Sequence, residues 1–276
     1  MTAASCSAGT VTWVFRLLVL WDVDYTLVDS GGVGRELYQR AFSDMFGRPM
    51  PQPGSMAGRT DRAIMAEVLS LAGEAEQAGL IEAFHEVIAA GAAGLADMVR
   101  QRSRALPGAA AALAALAEVG TVDGRAPTQT APGLGRARPA VVQSLLTGNI
   151  RALAEVKLAP FGLTRHLDLD AGAYGDAHEN RAKLVPLAWE AAGRAYGQRF
   201  GGSSTVLVGD TPFDVGAALA TGARAVGVAT GPFTTKELAA AGAHAVLPDL
   251  ADTDRALAAI LGAYTARGPA AGLEVG

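Results

Sequence analysis

Asp22 and Asp24 stand one residue apart directly behind five apolar residues, Leu17-Leu18-Val19-Leu20-Trp21. In an extended chain, residues two apart share a face, so both carboxylates point the same way at the end of a buried strand. Two like charges that close raise each other's pKa or recruit a cation. The arrangement recurs twice. Val141 to Leu146 ends in Thr147-Gly148-Asn149, and Thr205 to Val208 ends in Gly209-Asp210-Thr211-Pro212-Phe213-Asp214. Either motif alone reads as a turn or a helix cap. Three polar tips, each behind an apolar run, make a set. Asp22, Asp210 and Asp214 would offer the hard oxygen ligands that suit Mg²⁺. Thr147 adds a hydroxyl, and the amides of Gly148 and Asn149 lie where a following helix N-terminus receives phosphate oxygens.

The elements that must position these groups alternate strand and helix. The apolar runs at 17–21, 141–146 and 205–208 read as buried strands, joined by a short strand near Leu167 to Leu169 and by later strands at 225–228 and 245–247. Helices are expected at about 181–196 and 235–241. Such alternation means right-handed crossovers and a parallel sheet, whose strand C-termini share one edge where ligands bind. Between residues 34 and 104 no strand pattern appears. Leu37, Tyr38, Ala41, Phe42, Met45 and Phe46 fall at helical spacing, Thr60 or Asp61 caps a second helix, and a third starts near Leu80. This all-helical block is inserted after the first strand. Pro107-Gly108 opens an alanine-rich helix, and residues 121–139, rich in Pro, Gly and Arg without periodicity, read as a flexible surface insertion.

A chain of 276 residues with half its residues hydrophobic and a net charge of −4 is long enough for a substantial core, and its charges are mixed. No like-charge run suggests nucleic acid or a membrane surface as a partner, so a small ligand is expected. Cys6, the single cysteine, excludes an internal disulfide framework and suits a reducing cytoplasm. Residues 1–16 read as an extension: the basic residue Arg16 interrupts the apolar run rather than preceding it, unlike a signal peptide, and no run reaches transmembrane length. His85, His166, His178 and His244 are too scattered for a metal cluster, and Trp13, Trp21 and Trp189 read as packing.

Taken together, Asp22-Val23-Asp24-Tyr25-Thr26-Leu27, Leu146-Thr147-Gly148-Asn149, a basic residue at 181–183 and Gly209-Asp210-Thr211-Pro212-Phe213-Asp214 resemble the four motifs of the haloacid dehalogenase-like (HAD) hydrolase superfamily. Gly227-Val228-Ala229-Thr230-Gly231, Ala241-Gly242-Ala243-His244 and Leu247-Pro248-Asp249-Leu250 resemble its phosphoglycolate-phosphatase-like branch. The resemblance implies an α/β fold with a Rossmann-like core over 17–31 and 105–260 and an inserted helical cap over 32–104. It implies a phosphatase acting on a small phosphorylated metabolite with Mg²⁺. Asp22 would be the nucleophile and Asp24 the acid–base group, with Asp24 also contributing its main-chain carbonyl to the metal held by Asp22, Asp210 and Asp214. Thr147, Gly148 and Asn149 would bind the phosphoryl group. The superfamily usually places a Lys as the active-site cation; here Arg181, at the first turn of its helix, is preferred and Lys183 is the alternative. Arg59, in the helical block, is the candidate for reaching the substrate. Dehalogenases need no acid for a departing halide and typically carry an aromatic residue where Asp24 stands, so phosphatase is favoured. A phosphomutase of the β-phosphoglucomutase kind and a non-catalytic phosphate-binding module are the alternatives. Tyr25, where the superfamily usually has Gly, must either line the cap interface or restrict the turn.

Overall fold

The computed structural model describes residues 16–74, 79–119 and 141–265; the 1–16 extension, apart from Arg16, and the 121–139 insertion lie outside the described residues. From β1 (Leu17–Trp21) the chain passes a two-residue strand, β2 (Val28–Asp29), and enters a run of helices: α1 (Val33–Phe46), α2 (Asp61–Ala72), α3 (Leu80–Ala92) and α4 (Ala96–Arg102). It leaves by β3 (Arg104–Ala105), which pairs antiparallel with β2 and is clipped to it by Arg104 and Asp29 at 2.6 Å. The way into the helical block and the way out of it are therefore tied together. Two-residue strands carry no periodicity, which is why this pair is invisible in the sequence.

After α5 (Ala109–Ala117) come β4 (Val141–Leu145), α6 (Arg151–Leu158), α7 (Leu184–Tyr196), β5 (Thr205–Gly209), α8 (Pro212–Ala220), β6 (Arg224–Val228), α9 (Thr235–Ala240), β7 (Ala245–Leu247) and α10 (Thr253–Thr265). The five long strands form one parallel sheet in the order β4-β1-β5-β6-β7. The connection from β4 to β5 crosses over β1, so the crevice at the C-terminal ends of these three strands lies where the strand order reverses.

The strand expected near Leu167 to Leu169 does not form. Two 3₁₀ turns, Leu163–His166 and Leu169–Ala171, occupy that region. Asp168 is the reason: its side chain accepts from the Asp170 amide at 3.0 Å and from the Tyr196 hydroxyl at 2.8 Å, which caps a turn. The segment still serves the outer edge of β4, through Asp168 N to Gln143 O at 2.8 Å and Ala173 N to Leu145 O at 3.0 Å.

Alternate residues of β1 feed opposite faces of the sheet. Leu17, Val19 and Trp21 pack with Leu113, Leu116 and Ile260 of α5 and α10, while Leu18 and Leu20 pack with Leu184, Ala188 and Val215 of α7 and α8. A third apolar cluster fills the helical block, with Phe42, Met65, Val68, Phe84 and Ile88 at its centre, and it takes in Ile150 and Leu153 from the start of α6. The block is thus packed onto the sheet layer by the helix that follows Thr147-Gly148-Asn149. No helix among the described residues is long and apolar enough to cross a membrane.

Two glycines set the tolerance of this frame. Gly108 has φ +78°, and a Cβ on it would lie 1.7 Å from the Leu250 carbonyl oxygen, whereas Gly47, at φ +63°, has open space around it. Gly47→Ala should cost about 1 kcal/mol, the left-handed penalty alone. Gly108→Ala adds a backbone collision between α5 and the segment before α10 and should cost about 3 kcal/mol or more. Urea unfolding of both variants checks this, and equal losses would show that the close approach at Gly108 relaxes freely.

Candidate active site

Each reactive group sits where a strand runs out. Asp22 follows β1, anchored by its amide to the Val208 carbonyl at 2.9 Å, and the chain then turns tightly as the amides of Leu27 and Val28 close on the Val23 carbonyl at 3.0 and 3.1 Å. Tyr25 takes the left-handed conformation at φ +54°, alone among the described non-glycine residues. That cost, about 1 kcal/mol, is the one the usual Gly avoids. Its ring is exposed at the cavity wall, so Tyr25 meets both expectations: it is in the strained turn and it lines the pocket.

Beyond β5, Asp210 and Asp214 lie with Asp22 in a buried cluster, and one carboxylate oxygen of each falls within 4.8 Å of the others. Thr211 and Asp214 form a reciprocal cap on α8: Asp214 Oδ2 accepts from the Thr211 amide at 3.1 Å and from its hydroxyl at 2.6 Å. The remaining oxygen, Oδ1, pairs with Arg181 at 2.6 Å. Arg181 also reaches Asp22 Oδ1 at 2.7 Å, the Leu146 carbonyl at 3.0 Å and the Gly58 carbonyl at 3.2 Å. Lys183, the alternative cation, is exposed. Residues two apart in the 3₁₀ turn Arg181–Lys183 face different directions, so only the first can enter the site. Of the two cations that the sequence left open, Arg181 enters the carboxylate cluster and Lys183 stands outside it.

Asp210 has no such partner, and its buried Oδ2 accepts nothing. Burial, then the charges of Asp22 and Asp214, drive its carboxyl far above the usual carboxylate range. Asp22 is pushed up by burial, a trend Arg181 opposes and Asp214 reinforces. Burial disfavours the Arg181 charge, but Asp214 and Asp22 more than restore it. Three carboxylates with one guanidinium, all hard oxygens and one orphan oxygen, fit a divalent cation such as Mg²⁺. Asp22 and Asp210 would be its side-chain ligands. Asp214, expected as a ligand from sequence, lies in the same cluster, where its oxygens also hold Thr211 and the Arg181 guanidinium.

On the β4 side, Asn149 donates to the Thr147 hydroxyl at 2.9 Å and to Asp24 Oδ2 at 2.8 Å. Gly148 lies under the helical block, where a Cβ would come 2.1 Å from the Arg59 carbonyl oxygen. The Asp61 amide donates to the Gly148 carbonyl at 2.7 Å, and Asp61 Oδ2 accepts from the Ile150 amide at 2.7 Å. Burial nevertheless raises the Asp61 carboxyl to about 6. Arg59 lines the cavity, but its guanidinium is committed to Glu67 and to the Ala63 carbonyl at 3.0 Å. The residue expected to reach the substrate thus stands in the cavity lining and is tied within the helical block.

Two participants had no motif to announce them. Lys157 on α6 donates to both oxygens of Asp24, at 2.9 and 2.7 Å, and to Asn149 Oδ1 at 2.6 Å. Ser30 donates to Asp24 Oδ1 at 2.7 Å. Burial would raise the Asp24 carboxyl, yet Lys157, Asn149 and Ser30 together hold it below its ordinary value. The signal for Lys157 was a lysine on the apolar face of a helix, in step with Leu153, Ala154 and Leu158. The cavity here, about 300 Å³, is lined by Asp22, Asp24 and Asp210 together with Tyr25, Arg35 and Ile64.

Residues 180–253, which contain Arg181, Asp210 and Asp214, match the family model described as HAD-hydrolase-like. No curated protein matches the chain. Among solved structures, it is similar to a hydrolase from Pseudomonas syringae at 20% identity and a TM-score of 0.57, over 88% of this chain and 97% of that one. A predicted phosphatase from Clostridium acetobutylicum aligns at 16% identity and a TM-score of 0.58, over 88% and 99%. A β-phosphoglucomutase candidate from Bacteroides vulgatus aligns at 15% and 0.56, over 92% of each chain. These likenesses establish a shared fold. The chain thus shares the fold of these hydrolase and phosphatase structures, and its residues 180–253, where the guanidinium and two of its carboxylates lie, match the HAD-hydrolase-like family model.

Proposed function

We propose that the protein is a Mg²⁺-dependent phosphatase of small phosphate monoesters, working through an aspartyl-phosphate on Asp22, with the helical block as the cap over the site. The observation that carries this reading is Asp24: a second carboxylate, oriented by four hydrogen bonds, stands beside a carboxylate whose Oδ1 is pinned by Arg181. With Oδ1 held, Asp22 Oδ2 is the oxygen left to attack phosphorus. A bond forms from that oxygen to phosphorus, the phosphorus–alcohol bond breaks, and Asp24, which first takes a proton from the bound monoester in exchange for one of its hydrogen bonds, delivers that proton to the departing alkoxide. Water then attacks the phosphoryl group and gives its proton to Asp24, and the Asp22–phosphorus bond breaks to free phosphate. Splitting one displacement into two is what covalent catalysis gains.

Arg181 offsets charge on the phosphoryl oxygens while Asp214 keeps its fork in place, and Thr147, Gly148 and Asn149, on the loop ahead of α6, would receive phosphoryl oxygens. A Mg²⁺ held by Asp22 and Asp210, with the Asp24 carbonyl, would supply further stabilisation of that charge. The helical block would exclude water. The similarity to the phosphatase and phosphoglucomutase-candidate structures supports a small phosphorylated substrate. A mutase shares these parts, and product analysis on a hexose phosphate separates it: free phosphate marks the hydrolase, an isomeric sugar phosphate the mutase.

Purified protein with Mg²⁺ should release phosphate from p-nitrophenyl phosphate, and Asp22→Asn should lower turnover on the order of 10³-fold or more; normal turnover by the variant would rule out the covalent route. Chelation with EDTA should abolish release and Mg²⁺ should restore it, with a raised melting temperature on re-addition as an independent readout. Tyr25→Gly removes both the left-handed cost and a cavity wall. It should leave stability unchanged or higher and shift the ranking of substrates in a monoester panel while metal dependence stays the same; an unchanged ranking would count against a role for Tyr25 in substrate choice.

A further inference from the structure

Lys157 occupies a position that an apolar residue would ordinarily fill. It shares the buried face of α6 with Leu153, Ala154 and Leu158 and is 3% exposed. An unpaired ammonium there would be strongly destabilising, so the site is stable only with partners. All three of its protons are used: two on the Asp24 oxygens and one on Asn149 Oδ1. The Asp24 carboxylate in turn accepts four hydrogen bonds, two from Lys157 and one each from Ser30 and Asn149. A carboxylate has about four lone-pair sites. Both the location and the rotation of the Asp24 carboxylate plane are therefore fixed. A second element is shaped to the same purpose. Gly34 on α1 is buried, and a Cβ on it would lie 3.3 Å from Lys157 Nζ. Gly is a poorer helix former than Ala, and here it leaves room for the ammonium.

We propose that Lys157 is the positioning residue for the acid–base group: when Asp24 takes up its proton one of the four hydrogen bonds is given up, and Lys157 keeps the carboxyl in the orientation from which that proton reaches the leaving oxygen. The proposal rests on the phosphatase reading above. Lys157 forms and breaks no bond in the reaction; it acts through Asp24 and through Asn149, which it ties to the same carboxylate. The consequence is selective. An aryl ester with a good leaving group departs with little help from an acid, whereas a poorer leaving group depends on a well-aimed one.

The test compares kcat/KM for p-nitrophenyl phosphate and phenyl phosphate, two substrates of similar shape whose leaving groups differ in basicity, in the full chain with Mg²⁺. Because kcat/KM covers steps up to departure of the leaving group, it reads the step in which they differ. Lys157→Met should lower kcat/KM on the order of 10²-fold for phenyl phosphate and by less than about tenfold for p-nitrophenyl phosphate. Lys157→Arg, which keeps charge and donors, should recover part of the phenyl phosphate rate. Lys157→Gln, which keeps a donor without the charge, serves if Met at this buried site prevents folding, as judged by circular dichroism. Equal falls on both esters, or no fall on phenyl phosphate, in a folded Met or Gln variant would overturn the proposal. If wild-type protein cleaves neither ester with Mg²⁺, the phosphatase reading itself fails; if wild type cleaves both and the falls are equal, only the role of Lys157 does.

Discussion

One guanidinium is buried among three carboxylates, and the site is organised around that imbalance. Arg181 pairs with Asp22 and Asp214 and leaves Asp210 with an orphan oxygen and a strongly raised pKa. With every acid ionised the cluster carries an excess of negative charge in a place where charge is expensive to bury. Protonation or a cation must make up the difference. A structural ion pair would need one acid per base and would gain nothing from the other two. Under the proposed function the excess suits a site that would hold a divalent ion and then an anionic phosphoryl group, with Arg181 shared between nucleophile and electrophile stabilisation.

The frame protects this arrangement by letting backbones touch where side chains would intrude. A Cβ on Gly231 would lie 1.8 Å from Asp210 Oδ2, and one on Gly175 would lie 1.6 Å from the Gly148 carbonyl oxygen. Both crossings are beside the site, and both need the absence of a side chain rather than any special dihedral. The helical block is fastened through the same loops: Thr60 donates to the Glu179 carbonyl at 2.9 Å, the Arg62 amide to the Gly175 carbonyl at 3.0 Å, and Arg181 to the Gly58 carbonyl. The cation of the cluster is thus also a link between block and sheet, so cluster charge and block position are not independent.

The parallel sheet and its three polar strand tips could be read from the chain because burial on both faces writes itself as continuous apolar runs, and the carboxylate that ends each run is conspicuous. Arg181 could be preferred over Lys183 on position alone, and the 3₁₀ turn supplies the reason. What could not be read depends on long-range pairing. Nothing local distinguishes Asp214 as the partner of a guanidinium 33 positions earlier from Asp214 as a metal ligand. Arg59 looked available because Glu67, which occupies it, lies two helical turns away on α2. Lys157 was hidden for the opposite reason: an isolated lysine in a helix is ordinarily solvated, and only the fold shows that it faces inward onto Asp24. The strand expected at 167–169 failed because one aspartate, Asp168, turned an apolar-looking segment into a capped turn.

The central claim is that Asp22 becomes covalently phosphorylated. It is tested most directly in the Asp24→Asn variant, where loss of the base for water attack should let the intermediate accumulate. Incubated with p-nitrophenyl phosphate and Mg²⁺, quenched in acid and digested, this variant should yield a peptide carrying one phosphoryl group on Asp22, labile to hydroxylamine. Stoichiometric release of nitrophenol by the same variant with no phosphoryl group on Asp22 would contradict the account.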